Sequence, residues 1–193
     1  MFDIALRADG PRVRVWTGAL ADAEVADDPA ELVEEIRSLE ELANAARARQ
    51  QRLTAALDAQ RTDGDGGRGV AAEVALARRE SPHRGRRHLS LARIAPELPH
   101  TMEAFRRGLV TEWRVTVVAK ETACLSREDR LALDRAIAGD PDAFAGYSDR
   151  VVLAEVGKLA ARLDPAAVTA RRRRAESERG VTIRRAPRTR WST

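Results

Sequence analysis

Apolar residues recur along most of this chain at steps of three and four, which is the spacing of one face of an α-helix. The clearest examples are Leu98, Met102, Phe105 and Leu109, followed later by Val152, Val156, Leu159 and Leu163. Patterns typical of β-strands are confined to short runs near the two ends, Arg12–Trp16 and Val181–Arg184. The pattern therefore predicts a mainly α fold, a multi-helix bundle with minor β-structure at its N- and C-terminal ends.

The longest helical pattern begins at Asp28, where an N-cap aspartate is followed by Pro29 and Glu31 in the first turn. The positions that follow alternate steps of four and three over four heptads: Leu32, Ile36, Leu39, Ala43, Ala46, Gln50, Leu53 and Leu57. This seam predicts a homodimeric coiled coil through the Asp28–Arg61 helix, held by its leucines and isoleucine. Its small, partly polar middle favours the alternative of a long helix lying across its own domain.

A helical hairpin is predicted directly after this long helix. Residues 62–67, rich in glycine and aspartate, are expected to end the helix as a flexible connector. Two helical stretches, 70–80 and 83–95, then flank a turn in which Ser81 is an N-cap and Pro82 takes the first helical position. Their lengths match those of a helix-turn-helix, in which the second helix lies in the major groove of DNA.

The first turns of that second stretch are basic and carry Arg84, Arg86, Arg87 and His88. We expect these side chains to contact DNA, because a guanidinium group can bridge two acceptors of guanine or grip a phosphate. Glu80 and Gly85 occupy positions where such a motif usually has apolar anchors. A solvated arginine face is therefore the alternative.

Helix start and stop signals also divide the middle of the chain into separate helices. Gly108 suits the left-handed end of a helix, and Thr111 begins the next one. The stretch Glu112–Cys124 contains β-branched residues that would suit a strand, but its cap favours a helix. In such a helix Trp113 shares a face with Cys124, which predicts a buried thiol. A further helix starts at Ser126 and ends at Gly139, and Phe144 is expected to anchor the loop that follows.

The last predicted helix starts at Asp164 and Pro165, which repeat the aspartate cap and proline start. It carries four consecutive basic residues, Arg171, Arg172, Arg173 and Arg174. Because they cover more than half of the helix circumference, some must face solvent or a partner. We expect them to bind phosphate, and the alternative is a solvated end favoured by the helix dipole.

Charge is distributed unevenly along the 193 residues, although the net charge is only +4. Residues 22–41 hold nine acids and one arginine, whereas residues 78–93 hold six arginines and one glutamate. Residues 165–193 hold nine arginines and two glutamates. Two basic islands indicate a nucleic-acid partner, or else they neutralise the acidic helix within the same molecule.

The sequence offers few candidates for catalytic chemistry. Its single cysteine, Cys124, has no second thiol to pair with, and the histidines His83, His88 and His100 lack metal-ligand spacing. No apolar run is long enough for a membrane span, and no signal peptide is visible. We expect a cytoplasmic, non-enzymatic protein without cofactor and without membrane contact.

Several segments of the chain together resemble the sequences of an actinobacterial protein family. The segments are Thr101–Trp113, Val118–Ser126, Ala160–Pro165, Arg171–Glu176 and Val181–Ile183. The chain is similar to proteins with the domain of unknown function 222, known in mycobacteria as the 13E12 repeat family. The resemblance implies a helical domain that usually precedes an HNH endonuclease module, and no stretch here supplies that module.

The domain organisation expected from this resemblance is an extension over residues 1–27, a helical domain over 28–179 and the start of a truncated strand region over 180–193. The resemblance implies a non-catalytic, DNA-associated module. Two alternatives stay open: a protein-interaction or dimerisation module built on the long helix, and a truncated remnant without activity of its own.

Overall fold

The structure is a computed structural model that describes residues 9–65, 69–140 and 142–177. Its α-helices are α1 (Gly10–Ala21), α2 (Pro29–Asp65), α3 (Val70–Ala77), α4 (Pro82–Ile94), α5 (Pro99–Arg106), α6 (Glu112–Thr122), α7 (Arg127–Ala138), α8 (Asp149–Leu163) and α9 (Pro165–Ser177). A short 3₁₀ helix, Ala95–Glu97, connects α4 to α5. No strand occurs within the described ranges, and the prediction of a mainly α multi-helix bundle is confirmed.

The contacts divide the chain into two compact units, Met1–Glu40 and Glu41–Thr193. The boundary between them falls within α2. The domain bounds drawn from the sequence stay a prediction.

In the first unit the predicted N-terminal strand is wrong, because Arg12–Trp16 lies inside α1. Asp9 caps this helix by accepting a hydrogen bond from the backbone nitrogen of Arg12 at 3.1 Å, and a proline stands in the first turn. The apolar side chains Val13 and Val15 remain 45% and 69% exposed. A strand would have needed a partner sheet to cover them. The expected second strand, Val181–Arg184, lies outside the described residues.

The core of the second unit is built mainly from α5 to α8, with Ala48 of α2 and Leu91 of α4 packed into it. Its largest fully buried side chains include Leu98, Phe105, Leu133 and Phe144, so the predicted stripe along α5 and the predicted anchor Phe144 both face the interior. Asp134 of α7 is fully buried and caps α5, since its carboxylate accepts from the backbone nitrogens of His100 and Thr101 at 2.7 and 3.0 Å. This cap fixes α5 against α7.

The α2 helix passes close to the end of α5. Gly108 has a φ of +85°, as predicted for a left-handed helix end, and a β-carbon there would lie 2.5 Å from the carbonyl oxygen of Glu41. Asn44 donates a hydrogen bond to the carbonyl of Gly108 at 3.2 Å. The glycine therefore serves both the turn and the approach of α2.

The face of α2 that is buried lies one or two positions away from the predicted seam. Its buried residues in the second unit are Asn44, Ala48, Gln51 and Thr54. The seam leucines and isoleucine are more exposed: Ile36, Leu39 and Leu53 are 68%, 39% and 52% exposed, and Leu32 and Leu57 are half-buried. No partner chain is present, so dimerisation through the seam stays a prediction.

The expectation that residues 62–67 end the long helix is wrong for its first part. The helix continues through Asp65. A single glycine inside a helix, here Gly64, costs only about 1 kcal/mol relative to alanine, so the pattern did not force an earlier end.

Candidate nucleic-acid interface

The packing of α3 against α4 depends on Gly85. A β-carbon at this position would lie 2.0 Å from the carbonyl oxygen of Ala71 and 2.8 Å from the β-carbon of Ala75. The two helices can therefore approach closely only because residue 85 has no side chain. This explains why no apolar anchor occupies the position.

A tight connection, residues 78–81, sets the start of α4. Arg79 has a φ of 55°, an unusual conformation for a residue other than glycine. Ser81 then caps α4 by accepting from the backbone nitrogen of Arg84 at 3.4 Å, and Pro82 takes the first helical position. The start signals expected from the sequence are present at these residues.

His88 does not lie on the surface that we predicted for DNA, because its ring is buried. Its Nδ1 accepts from the amide nitrogen of Gln51 at 3.1 Å, and its Nε2 donates to Glu80 at 2.7 Å. Burial raises the pKa of Glu80, but the hydrogen bond from His88 and the charges of Arg78 and Arg84 outweigh this effect and lower the pKa overall. At the position where a helix-turn-helix usually has an apolar anchor, this chain therefore has a glutamate, which holds α4 through its hydrogen bond with His88.

Arg78 extends this buried network to α2 and α6. Its guanidinium donates to the side-chain oxygen of Gln50 at 2.6 Å and to both carboxylate oxygens of Glu112 at 3.3 Å. It also lies 3.7 Å from Glu80, and only 11% of its side chain is exposed. The network therefore neutralises the basic residue that begins the hairpin connection.

A second arginine on the same side of α4 is also neutralised. Arg93 donates to both carboxylate oxygens of Asp58 at 2.8 Å each. The hydrogen bond from Arg93 lowers the pKa of Asp58. This pair joins α4 to α2.

The other side of α4 faces α6 across an open cavity of about 570 Å³. Its rim is polar and basic, and it consists of His83, Arg86, Arg87, Ser90, Thr116 and Lys120. Its floor is apolar and consists of Leu91, Ile94, Ala119 and Ala123. A smaller cavity of about 150 Å³ continues from it, sharing Arg87, Leu91 and Thr116 and adding Arg84, His88, Glu112 and Trp113. We call the two cavities together the α4–α6 groove.

Three cations of this groove form no ion pair within the described ranges, and a fourth lies at the edge of ion-pair distance from a glutamate. The side chains of Arg86, Arg87 and Lys120 form no ion pair or hydrogen bond with any residue in the described ranges. Arg84 is 62% exposed and lies 3.8 Å from Glu80. Glu112 lines the smaller cavity, but its carboxylate is already bound by Arg78. The groove therefore presents net positive charge to solvent.

The predicted basic residues of α9 separate into two kinds. Arg171 binds the carboxylate of Glu121 on α6 through two hydrogen bonds of 2.8 and 2.9 Å. The hydrogen bond lowers the pKa of Glu121 and raises that of Arg171. Arg172, Arg173 and Arg174 are exposed, and their guanidinium groups form no hydrogen bond or ion pair within the described ranges.

Among the groove residues that were not predicted as site residues, a lysine and a tryptophan offer chemistry suited to a ligand. Lys120 is exposed on α6, and Trp113 is 47% exposed, whereas the sequence placed Trp113 on a buried face with Cys124. That thiol is only half-buried. The signal that could have indicated them is the spacing of Trp113, Thr116, Lys120 and Ala123 at steps of three, four and three.

The fold and the groove define a class of protein, an α-helical domain with an unneutralised basic groove between two helices. A family model described as "Domain of unknown function (DUF222)" matches residues 33–189, so the chain belongs to this family. Comparison with curated proteins and with solved structures gives no match.

The described ranges contain no cluster of three or more histidine, cysteine, aspartate or glutamate side chains that could hold a metal ion. Nor does any helix there combine the length and apolar character that a membrane crossing requires.

Proposed function

We propose that this chain is a non-catalytic nucleic-acid-binding module that holds DNA along the α4–α6 groove. The observation that carries the proposal is the set of exposed cations, Arg86, Arg87 and Lys120, that share one open groove and whose side chains form no ion pair or hydrogen bond in the described ranges. Clustered basic side chains neutralise phosphates and release their counterions, which supplies most non-specific affinity for nucleic acid. The predicted contacts Arg84, Arg86 and Arg87 all line this groove.

The choice of DNA among polyanions rests on the resemblance described above. Chains of that kind usually carry an HNH endonuclease module, whose substrate is DNA. Exposed Arg172, Arg173 and Arg174 on α9 would add phosphate contacts, whereas His88 and Arg171 are occupied inside the domain.

The test is a gel shift over a salt series, with the parent chain and an Arg86→Ala, Arg87→Ala, Lys120→Ala variant. For duplex DNA the slope of log affinity against log salt should shrink by roughly 0.9 for each lost contact. A matched control is Arg127→Ala, Arg135→Ala, Arg150→Ala, which removes the same charge from exposed positions outside the groove. Equal losses in both variants, or no binding by the parent at low salt, would sink the proposal.

The absence of catalysis is tested separately. Supercoiled plasmid incubated with the parent chain and Mg²⁺ should remain intact over hours. Nicking that survives purification to homogeneity and disappears in the groove variant would show that the module cuts DNA itself.

A second candidate function is homodimerisation through α2, favoured by the exposure of Ile36, Leu39 and Leu53. The charges along α2 support a second copy in antiparallel orientation. Residues 28–41 hold six acids and one arginine, whereas residues 47–61 hold four arginines and one aspartate. An antiparallel pair would place each acidic half beside a basic half, as a two-fold interface requires.

Sedimentation equilibrium of Leu39→Asp against the parent tests the dimer. The parent should sediment as a dimer and the variant as a monomer. Leu76→Asp is the control, because Leu76 is 82% exposed on α3 and lies outside the seam. A monomeric parent, or an unchanged mass for Leu39→Asp, would remove this candidate.

A further inference from the structure

We infer that the α4–α6 groove takes a single strand with unstacked bases, and that Trp113 is the residue on which a base stacks. This inference rests on the proposed function and narrows it to a class of nucleic acid. It departs from the helix-turn-helix expectation, in which α4 would enter the major groove of a duplex.

Trp113 is placed where a base could stack on it. The side chain is 47% exposed and lines the smaller cavity together with Arg84 and Arg87. Large aromatic side chains in this setting, beside arginines in a cleft, form the stacking platforms of single-strand-binding proteins. A tryptophan that served packing alone would be expected to bury most of its area.

The first turn of α6 holds Trp113 in place from both sides. Glu112 is bound by Arg78 and Gln51. Arg114 donates to Asp149 at 2.8 Å and to the carbonyls of Phe144 and Tyr147 at 3.0 and 2.6 Å. Trp113 thus projects from a fixed backbone between two anchored neighbours, which lowers the entropy lost when a ligand stacks on it.

The shape and chemistry of the groove favour a single strand over a duplex. A duplex presents mainly charged phosphates and sugars to a protein surface, so it would leave the apolar floor of Leu91, Ile94 and Ala119 without a matching contact. The bases of a single strand offer apolar faces to such a floor while its phosphates meet the basic rim. A concave site suits an unstacked strand better than it suits a rigid cylinder.

The length of the groove is also sufficient. The residues from Trp113 to Ala123 that line it extend over roughly 15 Å of helix at about 1.5 Å per residue. This length accommodates a few nucleotides. Arg84, Arg87 and Lys120 then lie along the path that a strand stacked on Trp113 would follow.

The experiment measures fluorescence anisotropy of the full chain with three labelled probes of equal length: an oligothymidine strand, an abasic strand with the same phosphates, and a duplex. The parent should bind oligothymidine roughly tenfold more tightly than the abasic strand, the effect of one stacked base. Trp113→Ala should abolish that difference and leave abasic binding unchanged. Trp113→Phe should retain most of it.

Trp16→Ala is the matched control, since Trp16 is 41% exposed on α1, and it should behave as the parent. The inference is overturned if the parent prefers the duplex, if it binds both single strands equally, or if Trp113→Ala keeps the parent's ratio. In those cases binding of the probes still supports the proposed function. If no probe binds, the proposed function fails, and this inference fails with it.

Discussion

The two sides of α4 show what arginine does in two different settings. On the side that faces α2 and α3, Gly85 and His88 are buried and Arg93 is paired with Asp58. On the side that faces α6, Arg86 and Arg87 are exposed, and their side chains have no partner among the described residues. One helix of 13 residues therefore carries a neutralised face and an unneutralised face.

The two faces separate the cations that the fold requires from those that it does not. A partly buried arginine that satisfies carboxylates is costly to remove, because the carboxylates are left without compensation. Neighbouring unpaired cations repel one another, so their removal should be neutral for stability or slightly favourable. Cations that do not support the fold are the natural candidates for function.

The largest effect is expected from Gly85→Val, which would separate α3 from α4 and so disrupt both faces. A β-carbon 2.0 Å from the carbonyl oxygen of Ala71 cannot be accommodated without moving the helices. Overpacking of this kind typically costs 1–3 kcal/mol and occasionally more, and we expect a loss of at least about 3 kcal/mol in the free energy of unfolding. Urea denaturation followed by circular dichroism measures it.

Gly157→Ala in α8 is the control for that experiment. A β-carbon there meets no atom within 4 Å, so the change should stabilise the helix by up to about 1 kcal/mol. A parent-like stability of Gly85→Val would show that the contact between α3 and α4 is not needed.

Removing a paired arginine should lower the free energy of unfolding more than removing an unpaired one. Arg78→Ala should lower the free energy of unfolding by about 2–3 kcal/mol, because Glu80, Glu112 and Gln50 would lose their shared donor. Arg86→Ala should change it by less than about 0.5 kcal/mol. If the two variants were equally destabilised in urea, the division of α4 into two faces would be wrong.

The stability contributed by the ion pair between Arg171 of α9 and Glu121 should depend on pH. The pKa of Glu121 is lowered by the hydrogen bond from Arg171, so the pair contributes stability above the ordinary pKa of 4.5 and loses it as the pH falls through the lowered value. Arg171→Ala should therefore be less stable than the parent at neutral pH and converge with it in acid.

Thermal melts of both chains over a pH series from neutral into acid test this convergence, which should begin near the ordinary pKa of glutamate and be complete only below the lowered pKa of Glu121. Arg173→Ala is the control, because Arg173 is exposed and has no side-chain partner in the described ranges. It should follow the parent at every pH. A constant difference between Arg171→Ala and the parent would mean that Glu121 does not contribute through its charge.

Local signals in the sequence were sufficient for most of the helix starts. Ser81, Thr111, Ser126 and Asp164 each accept from a backbone nitrogen three residues later. These caps involve residues that are close in sequence, so their chemistry can be recognised without the fold. The strand expected at Arg12–Trp16 failed because alternation over a few residues does not show whether a partner strand exists.

The candidate site could be predicted only in part, because pairing between distant residues decides which arginines are free. Arg93 lies 35 residues from Asp58, and Arg171 lies 50 residues from Glu121. Nothing in the local sequence distinguishes Arg93 from Arg86. The buried face of α2 was missed for a related reason, since it contains the polar residues Asn44 and Gln51, whose partners lie far along the chain.

The smallest effect concerns the connection that orients both faces of α4. Arg79 is held at a φ of 55°, a left-handed conformation that costs a residue with a β-carbon about 1–2 kcal/mol. Arg79→Gly removes that cost. The glycine also makes the unfolded chain more flexible, which lowers the free energy of unfolding by about 0.5–1 kcal/mol. We therefore expect a net increase of roughly 0.5 kcal/mol in the free energy of unfolding. Arg79→Ala keeps the strain and should match the parent in urea. A gain in Arg79→Ala equal to that in Arg79→Gly would assign the effect to the lost charge rather than to the backbone, and the connection would then add to the repulsion among the unpaired cations.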